Sequence, residues 1–274
     1  MSEDTHQCIH LMGERYGLDI SIYETSFLEK AIQLRMDALS IQTIEAYLLV
    51  LGKLPVESSL MMNQLSNSYS EFFRNPLTFT YLEQMILPAL IREKIKNKEK
   101  EIRVWSAACA SGQEAYSVAI LLDEAVKSAR EFLVCHIFAT DISQAELDNA
   151  QRGVYQTAAV NNVSLKRITS YFHQEGENYT VDPKLKEYID FSIFDLLSEK
   201  GNCPQASVYG NFDLVFCTNL LFYYQPESRK RIVSKVENCL APVGYLITGE
   251  AERALLIGNK FREVLPNSGI FQKR

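Results

Sequence analysis

Ile102-Arg-Val-Trp-Ser-Ala-Ala-Cys-Ala-Ser-Gly-Gln-Glu-Ala-Tyr-Ser117 is the stretch whose reading decides the fold. It opens on a short apolar run at Ile102, Val104 and Trp105, passes through small residues from Ser106 to Ser111, and turns at Gly112. From near Glu114 the pattern is that of an amphipathic helix, with Val118, Ala119, Leu121 and Leu122 as its apolar positions. Strand, small-residue loop and helix in that order is how α/β folds build a nucleotide site. Small side chains let a ligand approach the backbone closely, and a glycine can take positive φ. The same pattern also serves an ordinary strand-to-helix turn. With one glycine in the loop, the Gly-x-Gly-x-x-Gly dinucleotide fingerprint is absent.

Toward the C-terminus, strands and helices alternate. Leu133 to Ala139 reads as a second strand ending in Thr140-Asp141-Ile142, followed by a helix from Gln144 to Ala150 that Gly153-Val-Tyr155 closes. An acid at the end of the second strand can accept hydrogen bonds from two ribose hydroxyls, and Asp141 is equally placed to cap the following helix. Tyr171-Phe172, Gly176-Glu-Asn178 and Tyr179-Thr-Val181 then predict a short hairpin, a small β insertion at about 165–190. Tyr188 to Asp195 is a third main strand, again with an acid at its end. Asn211 to Cys217 is a fourth, apolar enough for burial on both faces, and it empties into Thr218-Asn219 and Tyr223-Tyr224. A helix from Glu227 to Leu240, a fifth strand from Tyr245 to Gly249 and a terminal hairpin within Phe261 to Phe271 complete the pattern. The fold class is α/β, with a mostly parallel sheet that binds ligands at the carboxyl ends of its strands.

Toward the N-terminus the period changes. Residues 1–66 read as a helical domain: Phe27, Leu28, Ala31, Ile32 and Arg35 lie along one helix, Ile41, Ile44, Tyr47, Leu48 and Leu51 mark a second, and Val56 to Leu65 a third. Residues 67–274 form the α/β domain. Its first segment, Asn67-Ser-Tyr-Ser-Glu-Phe-Phe-Arg-Asn-Pro76, offers Ser70 as an N-cap, two adjacent aromatics of which at least one should pack, and Arg74 directly after them. A helix from about Leu77 to Lys96 follows, where Pro88 can kink it.

A net charge of −6 argues against nucleic acid as partner, since phosphate binding needs a clustered basic face. The basic run from Arg92 to Arg103 is interleaved with Glu93, Glu99 and Glu101 and reads as a solvated helix end and linker. Six cysteines with no Cys-x-x-Cys spacing suggest neither a disulfide framework nor a zinc site. His6, Cys8 and His10 sit in a polar N-terminus expected to fray, so no metal is assigned to them. Met-Ser-Glu-Asp is not a signal peptide, and no apolar run reaches membrane-spanning length. A cytoplasmic protein without membrane insertion is expected.

Phe72-Phe73-Arg74, Arg103-Val-Trp-Ser-Ala-Ala-Cys109, Gly112-Gln-Glu-Ala-Tyr-Ser117, Ala139-Thr-Asp141-Ile142, Gly153-Val-Tyr155, Phe212-Asp-Leu-Val-Phe-Cys-Thr-Asn219 and Gly244 through Gly249-Glu250 resemble, in this order, the CheR-type chemotaxis receptor glutamate methyltransferases. The likeness includes the helical domain, whose Phe27 to Val50 has the family's spacing of apolar residues and arginine. It implies a class I S-adenosylmethionine-dependent methyltransferase fold, Rossmann-like, with an all-α N-terminal domain and a small β-subdomain. It also implies methyl esterification of glutamate side chains on the helical cytoplasmic domain of a chemoreceptor or another signalling protein, with S-adenosylhomocysteine as product. By position, Ser68, Ser70 and Arg74 fall where the family touches the methionine end of the cofactor, and Glu114 would also line it. Asp141 would hold the ribose, and Asp195 and Leu196 would flank the adenine with Thr218 and Asn219 nearby. Arg74 and Tyr223 fall where the family has residues implicated in the transfer itself.

The chemistry suits these groups. A glutamate carboxylate, of pKa about 4.3, is ionised at neutral pH, so the nucleophile needs no general base. What remains is alignment and control of charge. A guanidinium such as Arg74 can clamp a carboxylate in its planar fork, and Tyr223 can donate its hydroxyl to a carboxylate oxygen or pack as an ordinary aromatic. The chain departs from the family pattern at Thr218, usually Arg, at Ser68 and Asp195, usually Asn, and at Gln113, usually Glu. The hairpin around Gly176 looks shorter than in members that dock a tethered receptor peptide by strand addition, so no such docking is expected. The alternative is a degenerate cofactor-binding module that engages signalling partners without turnover.

Overall fold

Apolar residues recurring every three or four positions fold the first 65 residues into four helices: α1 (Glu3–Tyr16), α2 (Thr25–Ala38), α3 (Ile44–Lys53) and α4 (Pro55–Leu65). The computed structural model describes residues 3–66, 69–207, 209–256 and 260–273. The chain divides into two compact units, Met1–Asn67 with Leu221–Arg231, and Ser68–Leu220 with Ile232–Arg274. A single cut after residue 66 thus misses a segment, because Leu221–Arg231 groups with the helices. The reason is aromatic packing: Tyr223 lies 4.6 Å from Phe27 between ring centroids, Tyr224 stacks on Tyr23 at 5.2 Å, and Arg229 pairs with Glu24 at 3.1 Å.

Cys8, Met12, Leu28, Tyr47, Leu51 and Met61 are fully buried in the helical unit. From Glu3 on, the segment that holds His6, Cys8 and His10 is therefore a regular packed helix rather than a frayed one, and burial pushes the Cys8 thiol up to about 12. Buried Glu57 accepts a bidentate pair from Arg35 at 2.9 and 2.8 Å and a hydroxyl from Tyr47 at 3.1 Å, so its charge is compensated.

In the other unit, α5 (Pro76–Tyr81) runs through a π-turn at Leu82–Ile86 into α6 (Leu87–Asn97). The irregularity precedes Pro88. The Leu87 amide bonds five residues back to Leu82, and Pro88 has no amide to continue the ordinary ladder. Ser70 does not cap this helix; Asn75, at φ 61°, stands in the N-cap position before Pro76. Then come β1 (Glu101–Ala107), α7 (Gln113–Ala129), β2 (Val134–Asp141), α8 (Gln144–Arg152), β3 (Val154–Gln156), α9 (Leu165–Tyr171), β4 (Phe172–Glu175), β5 (Asn178–Val181), α10 (Pro183–Lys186), β6 (Ile189–Ile193), β7 (Phe212–Cys217), α11 (Pro226–Cys239), β8 (Leu240–Thr248), β9 (Phe261–Glu263) and β10 (Ile270–Lys273).

The main sheet has the order β6-β2-β1-β7-β8-β10-β9, parallel from β6 to β8 and antiparallel at β10 and β9. Central β7 is buried at every position, as its apolar run requires. A separate antiparallel sheet, β3-β5-β4, starts earlier than the expected insertion because Gly153, at φ 62°, ends α8 and turns the chain straight into β3. The β4–β5 loop is two residues, Gly176-Glu177. The basic run is only partly solvated. Lys94 pairs with buried Asp213 at 2.8 Å, and the Arg103 guanidinium lies 4.9 Å from the Phe138 ring centroid.

Candidate methyl-transfer site

The residues from Ala108 to Gly112 connect β1 to α7 through three left-handed positions, Ala108 (φ 65°), Ala110 (φ 46°) and Gly112 (φ 90°). Non-glycine residues adopt this conformation only where surrounding contacts fix it. Here the Cys109 amide donates to the Thr140 carbonyl at 2.8 Å, and the Ala110 amide donates to Asp141 Oδ2 at 2.9 Å. Glycine is required at 112, where an added Cβ would lie 2.8 Å from Ala150 Cβ.

Asp141 ends β2, and its second oxygen accepts the Ser143 amide at 2.9 Å. It does not cap α8; the Ser143 hydroxyl does, by accepting the Glu146 amide. Burial raises the Asp141 carboxyl above its ordinary value, against the pull of those backbone amides. Each oxygen retains accepting capacity for a ligand hydroxyl.

Glu114, in the first turn of α7, bridges two strand ends. Ser106 Oγ donates to its Oε1 at 2.7 Å, and Thr218 Oγ1 donates to its Oε2. Burial raises its pKa; the hydroxyls of Thr218 and Ser106 lower it, the Glu252 charge raises it and the Arg74 charge lowers it. Arg74 is half-buried between two left-handed residues, Phe73 and Asn75. Its Nη1 donates to the Tyr69 carbonyl at 3.1 Å and its guanidinium sits 5.1 Å from the Tyr69 ring centroid. Both preceding aromatics pack: Phe72 against Tyr155 and Phe172, Phe73 against Phe79. The Phe73 amide also donates to Ser117 Oγ at 3.0 Å, tying this segment to α7.

Asp195 lies beyond β6 and is exposed, its Oδ1 accepting the Leu197 amide at 2.8 Å, whereas Leu196 is buried. The Phe194 amide donates to the Asp141 carbonyl at 3.0 Å, which holds this turn beside the end of β2. Half-buried Ser70 precedes the Phe-Phe-Arg segment, and Ser68 lies outside the described residues.

Glu252 was not legible as a site residue. It is 0% exposed and sits in the turn after β8. Its carboxylate accepts the amides of Gly249 at 2.8 Å, Asn219 at 2.7 Å and Leu220 at 2.6 Å. The available signal was one more acid just past a strand end, like Asp141 and Asp195. Asn219 is left-handed at φ 56°, and its buried Oδ1 has no hydrogen-bond partner.

The structure thus brings together two hydrogen-bonded groups at the carboxyl ends of β1, β7 and β8, Ser106–Glu114–Thr218 and Asn219–Glu252, joined by the Thr218–Asn219 peptide bond, and ties the Ala110 loop to Asp141 at the end of β2. Tyr223 belongs to the helical unit. Among the described residues no cluster of metal ligands occurs, and no helix is long and apolar enough to cross a membrane. A groove of about 860 Å³ beside α6, α9 and the C-terminal half of α7 includes none of the candidate residues.

The model of the CheR methyltransferase, SAM binding domain, matches residues 68–268. A chemotaxis protein methyltransferase of Borreliella burgdorferi is 27% identical over 96% of this chain and 92% of its own length. Chemotaxis protein methyltransferase 1 of Pseudomonas aeruginosa is 32% identical over 78% of this chain and 76% of its own. A chemotaxis protein methyltransferase of Listeria monocytogenes is 30% identical, covering 87% and 86%. The chain belongs to the CheR family of S-adenosylmethionine-dependent methyltransferases.

Proposed function

We propose that this methyltransferase esterifies glutamate side chains on the helical cytoplasmic domain of a chemoreceptor or a related signalling protein. The observation that carries the reading is the charge pattern at the strand ends. Burial raises the carboxyls of the half-buried Glu114 and Asp141, and the Arg74 charge is the smallest of the influences that oppose the rise at Glu114. The donor set fits the cofactor. Two acids with accepting capacity and the unpartnered Asn219 Oδ1 suit a ligand with ribose hydroxyls, amine donors and a cationic sulfonium. When bound, S-adenosylmethionine supplies a methyl group already activated by that sulfonium.

Asp141 is the proposed ribose acceptor. Ser70 and Arg74 are assigned to the methionine end, with Ser68 assigned there by position alone. Leu196 would pack on the adenine beside Asp195. Glu114 and Thr218 hold each other and line the cofactor together, so Thr218 acts through Glu114 instead of reaching the ligand as a long cation would. Arg74 orients the incoming carboxylate, and Tyr223 is assigned to the transfer by the family resemblance alone. No base is needed, because the carboxylate arrives ionised.

The relatives named as chemotaxis methyltransferases support a receptor as substrate. A tethered receptor peptide is not required, since the β4–β5 connection is only Gly176-Glu177. The test is to incubate the protein with S-adenosylmethionine and a receptor cytoplasmic fragment and map modified residues by mass spectrometry. Methyl groups on glutamates, lost when those glutamates become aspartates, are the expected result. Cofactor binding without transfer to any carboxylate would leave the interaction-module reading in its place.

A further inference from the structure

We infer that Glu252 is a positioning residue for the cofactor site, acting through Asn219. This rests on the cofactor role proposed for Asn219. Three observations carry it. First, Glu252 has no exposed surface and accepts three backbone amides: Oε2 takes those of Gly249 and Asn219, and Oε1 takes that of Leu220. A buried carboxylate that accepts several amides fixes the segments that donate them, here the ends of β7 and β8. Second, the residue so held is in a left-handed conformation. Asn219 stands at φ 56°, which asparagine tolerates but which surrounding contacts must maintain. Third, its Oδ1 is buried and lacks a donor, while the adjacent Thr218 is tied to Glu114. An orphaned acceptor at the strand ends calls for a donor from outside the chain. The cofactor carries such donors in its ammonium, its ribose hydroxyls and its adenine amine.

Gly249 completes the arrangement. Its φ of −66° is open to any residue, so its role is space. A Cβ there would come 2.6 Å from Asn219 Nδ2 and 2.9 Å from Glu252 Oε2. The glycine thus leaves room for the Asn219 amide to lie against β8 while Glu252 holds its backbone.

The test is a double-mutant cycle read by calorimetric titration of S-adenosylhomocysteine, with melting temperatures recorded alongside. Glu252→Gln keeps the shape but turns one acceptor into a donor facing an amide. It should weaken binding about tenfold in the native background. In the Asn219→Ala background the same change should cost less than about twofold, because the group it positions is gone. If Glu252→Gln does not fold, Gly249→Ala takes its place with the same expectation. Equal losses in both backgrounds, or undiminished binding by a folded variant, would overturn the inference and leave the cofactor site standing. Failure of the native protein to bind S-adenosylhomocysteine would overturn the site reading itself, and the inference with it.

Discussion

Glu114 shows what a single residue at this site costs and contributes. Its carboxylate is held by the Ser106 and Thr218 hydroxyls, yet burial still leaves its pKa raised. The folded state therefore binds its proton more tightly than the unfolded chain does. Stability from this group is present below the ordinary carboxylate range and is lost as pH rises from there through the raised folded value. Glu114→Gln removes that loss. The variant should gain melting temperature relative to the native protein as pH increases from about 4 to 7, the range above the ordinary glutamate value, while its cofactor affinity falls. A stability difference between the two that stays flat across that range would contradict the account.

The element that sets the site is the β1–α7 connection, and most of it is readable from residues. The small side chains, Gly112 and the acid at Asp141 all announce a ligand loop. Gly112 combines φ 90° with a 2.8 Å approach of an added Cβ to Ala150. Gly112→Ala should therefore destabilise the protein by about 2 kcal/mol in urea unfolding and weaken cofactor binding with it. A change within error of zero would mean the loop adapts. Strand positions and acids at strand ends were legible because apolar runs and turns are local signals. The left-handed turns at Phe73 and Asn75 were not, nor was the π-turn before Pro88. These depend on where neighbouring elements press against the segment. Glu252 escaped for the same reason: besides the nearby Gly249 amide, its partners are amides 32 and 33 positions away, and a Gly-x-x-Glu cap by itself carries no mark of burial.

At the scale of the whole molecule, the sequence split into a helical part and an α/β part because the hydrophobic period changes near residue 66. It gave no sign that Leu221–Arg231 groups with the helices, since that grouping rests on the contacts of Tyr223, Tyr224 and Arg229 with Phe27, Tyr23 and Glu24. The small β3-β5-β4 sheet carries a further prediction. Deleting Glu175–Asn178 should leave methylation of a receptor fragment lacking any C-terminal peptide unchanged. The native protein should show no measurable binding of such a peptide, and tight peptide binding lost on that deletion would reverse the proposal. The central claim is ester formation on protein carboxylates, guided by Arg74. It is tested most directly by incubating the protein with methyl-labelled S-adenosylmethionine and a receptor cytoplasmic fragment, then measuring label released as methanol by mild alkali. The account predicts alkali-labile label with the native protein and its loss in Arg74→Ala even at saturating S-adenosylmethionine, with the variant still folded and binding S-adenosylhomocysteine more weakly. Label that resists alkali, or full transfer by Arg74→Ala, would contradict it.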